Sequence, residues 1–178
     1  MGSDDFATKR EGRSGDALAS NLVWAGVAAM TATTWSVVLI NGPTSFRYFA
    51  YHLLLQPVAL ACFSHGILTL QPTSQPRSKA AGLERHQMSV FNIGFPTITL
   101  GTLAIVYNKY LRDYPHFRTW HAKLGLACMI WTLVQLCVGA GSTWYNGALF
   151  GGGAKAKALW KYHRQANQGP ISFFTVEV

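Results

Sequence analysis

Charge is what this sequence has least of. Only 12% of its 178 residues are Asp, Glu, Lys or Arg, about half the usual share for a soluble domain. That charge is also unevenly spread, because residues 21–40, 48–71, 87–108 and 124–154 carry none. A soluble helical bundle needs charged outer faces, and these stretches lack them. A bilayer core about 30 Å thick is crossed by about 20 helical residues, so each stretch is long enough to span it. The expected fold is an all-α transmembrane helical bundle with four spans, at about 21–40, 48–71, 87–108 and 122–143.

Other absences narrow the chemistry. The three cysteines, Cys62, Cys128 and Cys137, stand singly in spans with no C-x-x-C, so they read as buried free thiols. A structural zinc site, which gathers histidine with cysteine or carboxylate at tight spacing, has no counterpart here. Without C-x-x-C-H, covalent c-type haem is excluded. The first twenty residues form a polar arm expected to be disordered. No small-residue cleavage box precedes the first apolar run, which is itself full span length, so the arm is not a secretory signal. Phe6 stands where a myristoylation pattern needs Ser or Thr. The net charge of +8 accompanies no RNA-binding motif, so nucleic acid is not an expected partner.

The basic residues give an orientation. With four spans, the N-terminal arm, the connection around 71–87 and the region after the fourth span share one side and hold ten of the fifteen Lys and Arg residues. The opposite side holds Arg47, Lys109, Arg112, Arg118 and Lys123. The excess marks the cytoplasmic side and places the N-terminus there, in a multi-pass membrane protein. Connections rich in Pro, Gly and Ser separate the spans: NGPTS, QPTSQPRS and GGGAKAKA. Pro57 and Pro96 lie inside spans, where neighbouring helices can satisfy the freed carbonyls. Gly94, Gly101, Gly125, Gly139 and Gly141 admit either close helix packing or a flat macrocycle against the helices.

Against this apolar background four histidines stand near span ends: His52, His86, His121 and His163. An imidazole tolerates a largely apolar setting when neutral and binds haem iron axially. Depth along the spans puts His52 with His121 at the outer level, and His86 with His163 at the cytoplasmic level. Any haem held so is non-covalent, hence b-type. Taken singly, His86 and His163 also read as interfacial side chains, whereas an ionisable residue within a span, such as His52, is a functional candidate by default. His65 lies thirteen residues after His52, about 20 Å further along and on the opposite face, and reads as a hydrogen-bonded packing residue. His116, in the outer loop, reads as a substrate contact.

The run SFRYFAYHLLLQPVALACFSHGILTLQP, the GLERHQ junction, PHFRTWHAKLGL and KALWKYHR resemble the cytochrome b561 family, in particular its small domain-containing ferric reductases. The resemblance covers roughly residues 21–164 and is most specific from His116 to Gly125, HFRTWHAKLG. The family's pattern of one histidine on each of four consecutive central helices falls on His52, His86, His121 and His163. It implies a six-helix fold, of which this chain supplies the core, holding two b haems. It also implies an oxidoreductase that passes electrons from cytoplasmic ascorbate to monodehydroascorbate or ferric iron across the bilayer, and it admits a homodimer.

Charge complementarity makes Lys79 and Arg85 candidates for ascorbate, although topology alone also explains them. On the outer side Lys109, His116 and Arg118 are candidates for an anion or a ferric chelate. Where many relatives carry a further histidine, this chain has Asn108. It departs from the family again after His163, where only RQANQGPISFFTVEV follows; residues 165–178 read as a divergent, truncated tail that cannot span. On that reading no helix fixes His163, and the alternative is a non-catalytic membrane protein with one haem or none.

Overall fold

The computed structural model describes residues 15–70 and 76–166. The expected arm up to residue 14, most of the connection at 71–75 and the tail from 167 lie outside the described residues. Helix α1 (Asp16–Asn41) begins with Asp16 in its first turn, where a carboxylate meets the partial positive charge of the helix start. It ends at Gly42, φ 79°, and Pro43 then opens the single turn α2 (Pro43–Phe46). Next come α3 (Phe49–Leu68), α4 (Pro76–Gln87), a π-helical segment (Met88–Gly94) and α5 (Phe95–Leu111). Helix α6 (Trp120–Thr143), a 3-10 segment (Trp144–Phe150) and α7 (Gly153–Ala166) complete an architecture with no strand among the described residues.

Four helical runs are long and apolar enough to cross a membrane: Asp16–Asn41, Phe49–Leu68, Arg77–Leu111 and Trp120–Phe150. These correspond to the four expected spans. The third is longer than the charge pattern suggests, because α4, the π segment and α5 run on continuously. Charge limits how much of a helix can sit in hydrocarbon but does not end the helix, and Lys79, Ala80, Ala81, Leu83, Glu84 and Arg85 are good helix formers.

The chain divides into two compact units, Met1–Pro115 and His116–Val178. In the first, α1, α5 and the π segment all pack on α3. Beside Val27, Val38, Pro57 and Asn108, its buried positions include the small Ala50, Ala59 and Gly66 on α3 and Gly94 and Gly101 on the facing run, where backbones approach closely in the manner of membrane helices. Large apolar side chains face outward instead: Ile40 is 83% exposed and Leu39 66%, as suits helices whose surroundings are lipid. Hydroxyls on α1 bond back to their own helix, Thr31 to the Val27 carbonyl at 2.7 Å and Thr34 to that of Met30 at 2.9 Å. Pro57 removes the N–H that would meet the Leu53 carbonyl. The next carbonyl, Leu54, accepts the Trp35 indole N–H from α1 at 3.1 Å, so a neighbouring helix adds a donor where the proline loosens the ladder.

In the second unit, Thr119 caps α6, its Oγ1 accepting the Ala122 N–H at 3.2 Å. Beyond α6 the chain reverses through Tyr145, Asn146 and Gly147, all left-handed, and through Gly151, φ 80°, into α7, which packs back on α6. A Cβ on Gly147 would overlap that of Ala156, so the reversal needs glycine there. Two expectations are corrected. His163 does not lie in a segment without a helix: it is on α7, because the Ala, Lys and Leu residues from 154 to 161 favour helix and the three glycines make only the turn. The thiols are not buried: Cys128 and Cys137 are exposed and Cys62 half-buried. A thiol behaves as a small apolar group and gains little from burial when its alternative is lipid.

Candidate functional site

Unit one carries two of the four histidines, each tied to a glycine carbonyl on the opposite helix. Near the start of α3, His52 is half-buried and its Nδ1 lies 3.1 Å from the Gly101 carbonyl oxygen on α5. Near the end of α4, His86 is half-buried and its Nδ1 lies 3.0 Å from the Gly66 carbonyl on α3. The relation is reciprocal. Each antiparallel member of the pair, α3 and the continuous run from α4 to α5, contributes one histidine and receives the other. Gly66 is fourteen residues beyond His52, about 21 Å along a helix, so the two rings sit near opposite ends of α3.

A carbonyl oxygen only accepts, so both rings donate from Nδ1–H. In a neutral ring this leaves Nε2 as the unprotonated nitrogen. Metal-ligating histidines are held in this way, with the second ring nitrogen donating to a carbonyl or carboxylate that fixes tautomer and orientation. Both rings therefore fit axial ligation of haem iron. Gln56, one turn after His52, reinforces the outer end: its Nε2 lies 3.4 Å from His52 Nδ1 and donates to Thr102 Oγ1 at 3.2 Å and to the Ile98 carbonyl at 3.4 Å. Since His52 Nδ1 carries the proton given to Gly101, these latter contacts are the ones Gln56 can donate to.

The helices come this close because of what the glycines lack. A Cβ at Gly66 would stand 2.6 Å from Val90 Cγ2, and one at Gly101 would stand 3.0 Å from Gln56 Nε2 and 3.2 Å from Leu55 Cβ. Gly94, against Phe63 at 3.1 Å, and Gly141, against Leu149 at 2.7 Å, are likewise packing positions. Of the two readings given to the small residues, close helix packing describes Gly94, Gly101 and Gly141, and Gly66 joins them. Gly125 differs, with nothing within 4 Å of an added Cβ.

Unit two carries the other two histidines. His121 is exposed in the first turn of α6, just inside the Thr119 cap. His163 is half-buried on α7 against Gly139 of α6, where an added Cβ would meet its Cε1 at 3.0 Å and its Nε2 at 3.2 Å. Gly139 is eighteen residues beyond His121, about 27 Å along the helix, so these rings also mark opposite ends. Each expected pair, His52 with His121 and His86 with His163, takes one member from each unit. Among the described residues no three of His, Cys, Asp or Glu gather as a metal cluster; a bis-histidine site requires only two.

The candidate substrate residues are placed as follows. Lys79 and Arg85 are exposed on α4, with Arg85 beside His86 in its last turn. Lys109, at the end of α5, donates to the Pro115 carbonyl at 3.4 Å, closing the loop that follows. His116 and Arg118 are exposed in unit two, and the His116 ring lies 5.9 Å from that of Phe117. His65 is exposed and packs by a tilted ring contact with Trp24 at 6.5 Å rather than by the expected hydrogen bond. Sequence reasoning missed Gln56 and Gly66. A lone amide in a charge-free span, one turn from a histidine, was the available signal for Gln56; Gly66 carried none, since its role is a main-chain oxygen.

Residues 78–165 match the family model for eukaryotic cytochrome b561. That match contains His86, His121 and His163 but stops short of His52. No curated protein and no solved structure matches the chain.

Proposed function

The chain belongs to the cytochrome b561 family, and from that premise we propose that it moves single electrons across a membrane through two non-covalent b haems. In this reading His52 and His121 hold the outer haem and His86 and His163 the cytoplasmic one. The electron donor is ascorbate, and the acceptor is monodehydroascorbate or a ferric chelate on the opposite side. Its N-terminus is cytoplasmic, following the ten-to-five bias of basic residues. Bound haem supplies a one-electron couple tuned by its axial ligands.

The observation that carries the reading is the reciprocal pair of His–glycine carbonyl hydrogen bonds. They hold two imidazoles near opposite ends of one span, each with the proton on the nitrogen that does not bind metal. The protein's part is to fix those rings before any metal arrives, which is where such outer hydrogen bonds contribute affinity. Lys79 and Arg85 attract an anionic donor to the cytoplasmic end, and His116 and Arg118 an anionic acceptor to the other. The seating of His163 against Gly139 favours two haems over the one-or-none alternative.

The test is haem stoichiometry together with the reduced-minus-oxidised spectrum of the purified protein. Two b haems per chain with a bis-histidine spectrum are expected, and ascorbate trapped inside proteoliposomes should reduce an external ferric chelate. A flat difference spectrum from folded protein expressed with haem in excess would overturn the proposal.

A further inference from the structure

Helix α7, fourteen residues long, is not one of the candidate spans, and its charge is arranged rather than scattered. Lys157, Lys161 and Arg164 follow one another at four and then three residues, which puts them on a single face with Trp160 between them. The opposite face holds buried Ala156 and half-buried Leu159 and His163, and packs on α6. Together with Ser142 and Thr143 at the end of α6, the cationic face lines an open groove.

Among the described residues of this unit no carboxylate balances these charges, since between Asp113 and Glu177 the sequence contains no Asp or Glu. Like charges one turn apart weaken an isolated helix; an anion in the groove would reverse the sign of that term. The hydroxyl protons of Ser142 and Thr143 are already given to the Gly139 carbonyl, at 3.0 and 2.8 Å. Recognition therefore falls to the three cations.

Position selects the anion. The groove opens at the end of a membrane-spanning helix, and Trp160, 44% exposed, is the amphipathic side chain that settles at headgroup level. We propose that this groove binds the phosphate headgroup of an anionic membrane lipid, with Trp160 anchoring α7 at the bilayer surface. This goes beyond the redox reading and does not depend on haem.

The test uses the full chain in phosphatidylcholine nanodiscs carrying a trace of spin-labelled phosphatidylserine or spin-labelled phosphatidylcholine. Surface cations each favour anionic lipid by roughly fivefold, so the serine lipid should associate at least several-fold more strongly. Lys157→Gln with Lys161→Gln should bring the two lipids close to parity, whereas Lys157→Arg with Lys161→Arg, and Lys155→Gln on a different face, should keep the preference. Equal association of both lipids with the unaltered chain, or a preference that survives the double Gln change, would overturn the proposal. So would displacement of the labelled serine lipid by free inorganic phosphate, since the groove would then select a soluble anion. Haem content measured on the same samples reports the redox reading separately.

Discussion

His52 on α3 donates from Nδ1 to the Gly101 carbonyl at 3.1 Å, and the favour is returned about 21 Å along the same helix pair, where His86 donates to the Gly66 carbonyl at 3.0 Å. Each bond does two things at once. It joins two helices through a backbone acceptor available only where a glycine lets the helices close, and it settles which ring nitrogen keeps its lone pair. Packing and ligand chemistry are therefore coupled, and a change to one should register in the other.

The proposed pairing of histidines predicts a pattern of haem loss. Removing either axial ligand leaves iron with one strong protein bond, so His52→Ala and His121→Ala should each remove one haem, the same one. Combining them should remove no more than either alone, and His86→Ala should remove the other. Haem per chain and the split of the reduced α-band check this. A His52→Ala/His121→Ala double variant that loses both haems would show that the pairs are drawn wrongly.

Gly66 offers a test of the coupling. An alanine methyl there would stand 2.6 Å from Val90 Cγ2, and overpacking of this kind costs about 1–3 kcal/mol. Relief by moving the π segment that carries Val90, and α4 with it, would stretch the bond to His86. Gly66→Ala should therefore lower the thermal midpoint and shift the cytoplasmic haem's reduction potential, while the outer haem keeps its own. Val90→Ala opens the space that the methyl needs, so the Gly66→Ala/Val90→Ala double variant should recover most of both effects. No recovery would mean that the strain runs through a different neighbour.

How much of this was legible beforehand divides along physical lines. Absence of charge over 20 or more residues is a one-dimensional property of the sequence, and it located all four spans. The histidines were legible because a polar side chain in such a setting stands out. Gly66 was not, because what it contributes is a main-chain oxygen and a missing side chain. The helical state of His163's surroundings escaped for the opposite reason: the short tail after His163 argues against a further span, but the Ala, Lys and Leu residues before His163 set its local conformation. The π-helical turn at Met88–Gly94, directly after the His86 helix, has no sequence signature beyond Pro96 following it.

Orientation carries a separate prediction. The proposed orientation, with the N-terminal side cytoplasmic, rests on ten basic residues against five. An epitope placed after Met1 should resist protease added to intact cells and become sensitive once they are permeabilised. Cleavage in intact cells would reverse both haem levels and exchange the donor and acceptor ends.

The seat of His163 decides whether the chain holds the proposed cytoplasmic haem. Its ring lies so close to Gly139 that an added Cβ would be 3.0 Å from Cε1 and 3.2 Å from Nε2, tighter than carbon ordinarily packs against a ring. Gly139→Ala must push the imidazole, α7 or both outward. If His163 is an axial ligand, that displacement weakens one iron bond by misplacing the ring, and losing such positioning typically costs 10–100-fold in metal affinity. Gly139→Ala should thus lower the occupancy of one haem and leave the other intact, and His163→Ala should remove the same haem altogether. Should Gly139→Ala leave two haems at full occupancy with unchanged potentials, and His163→Ala do the same, α7 would be a packing helix and the cytoplasmic iron would need a different ligand.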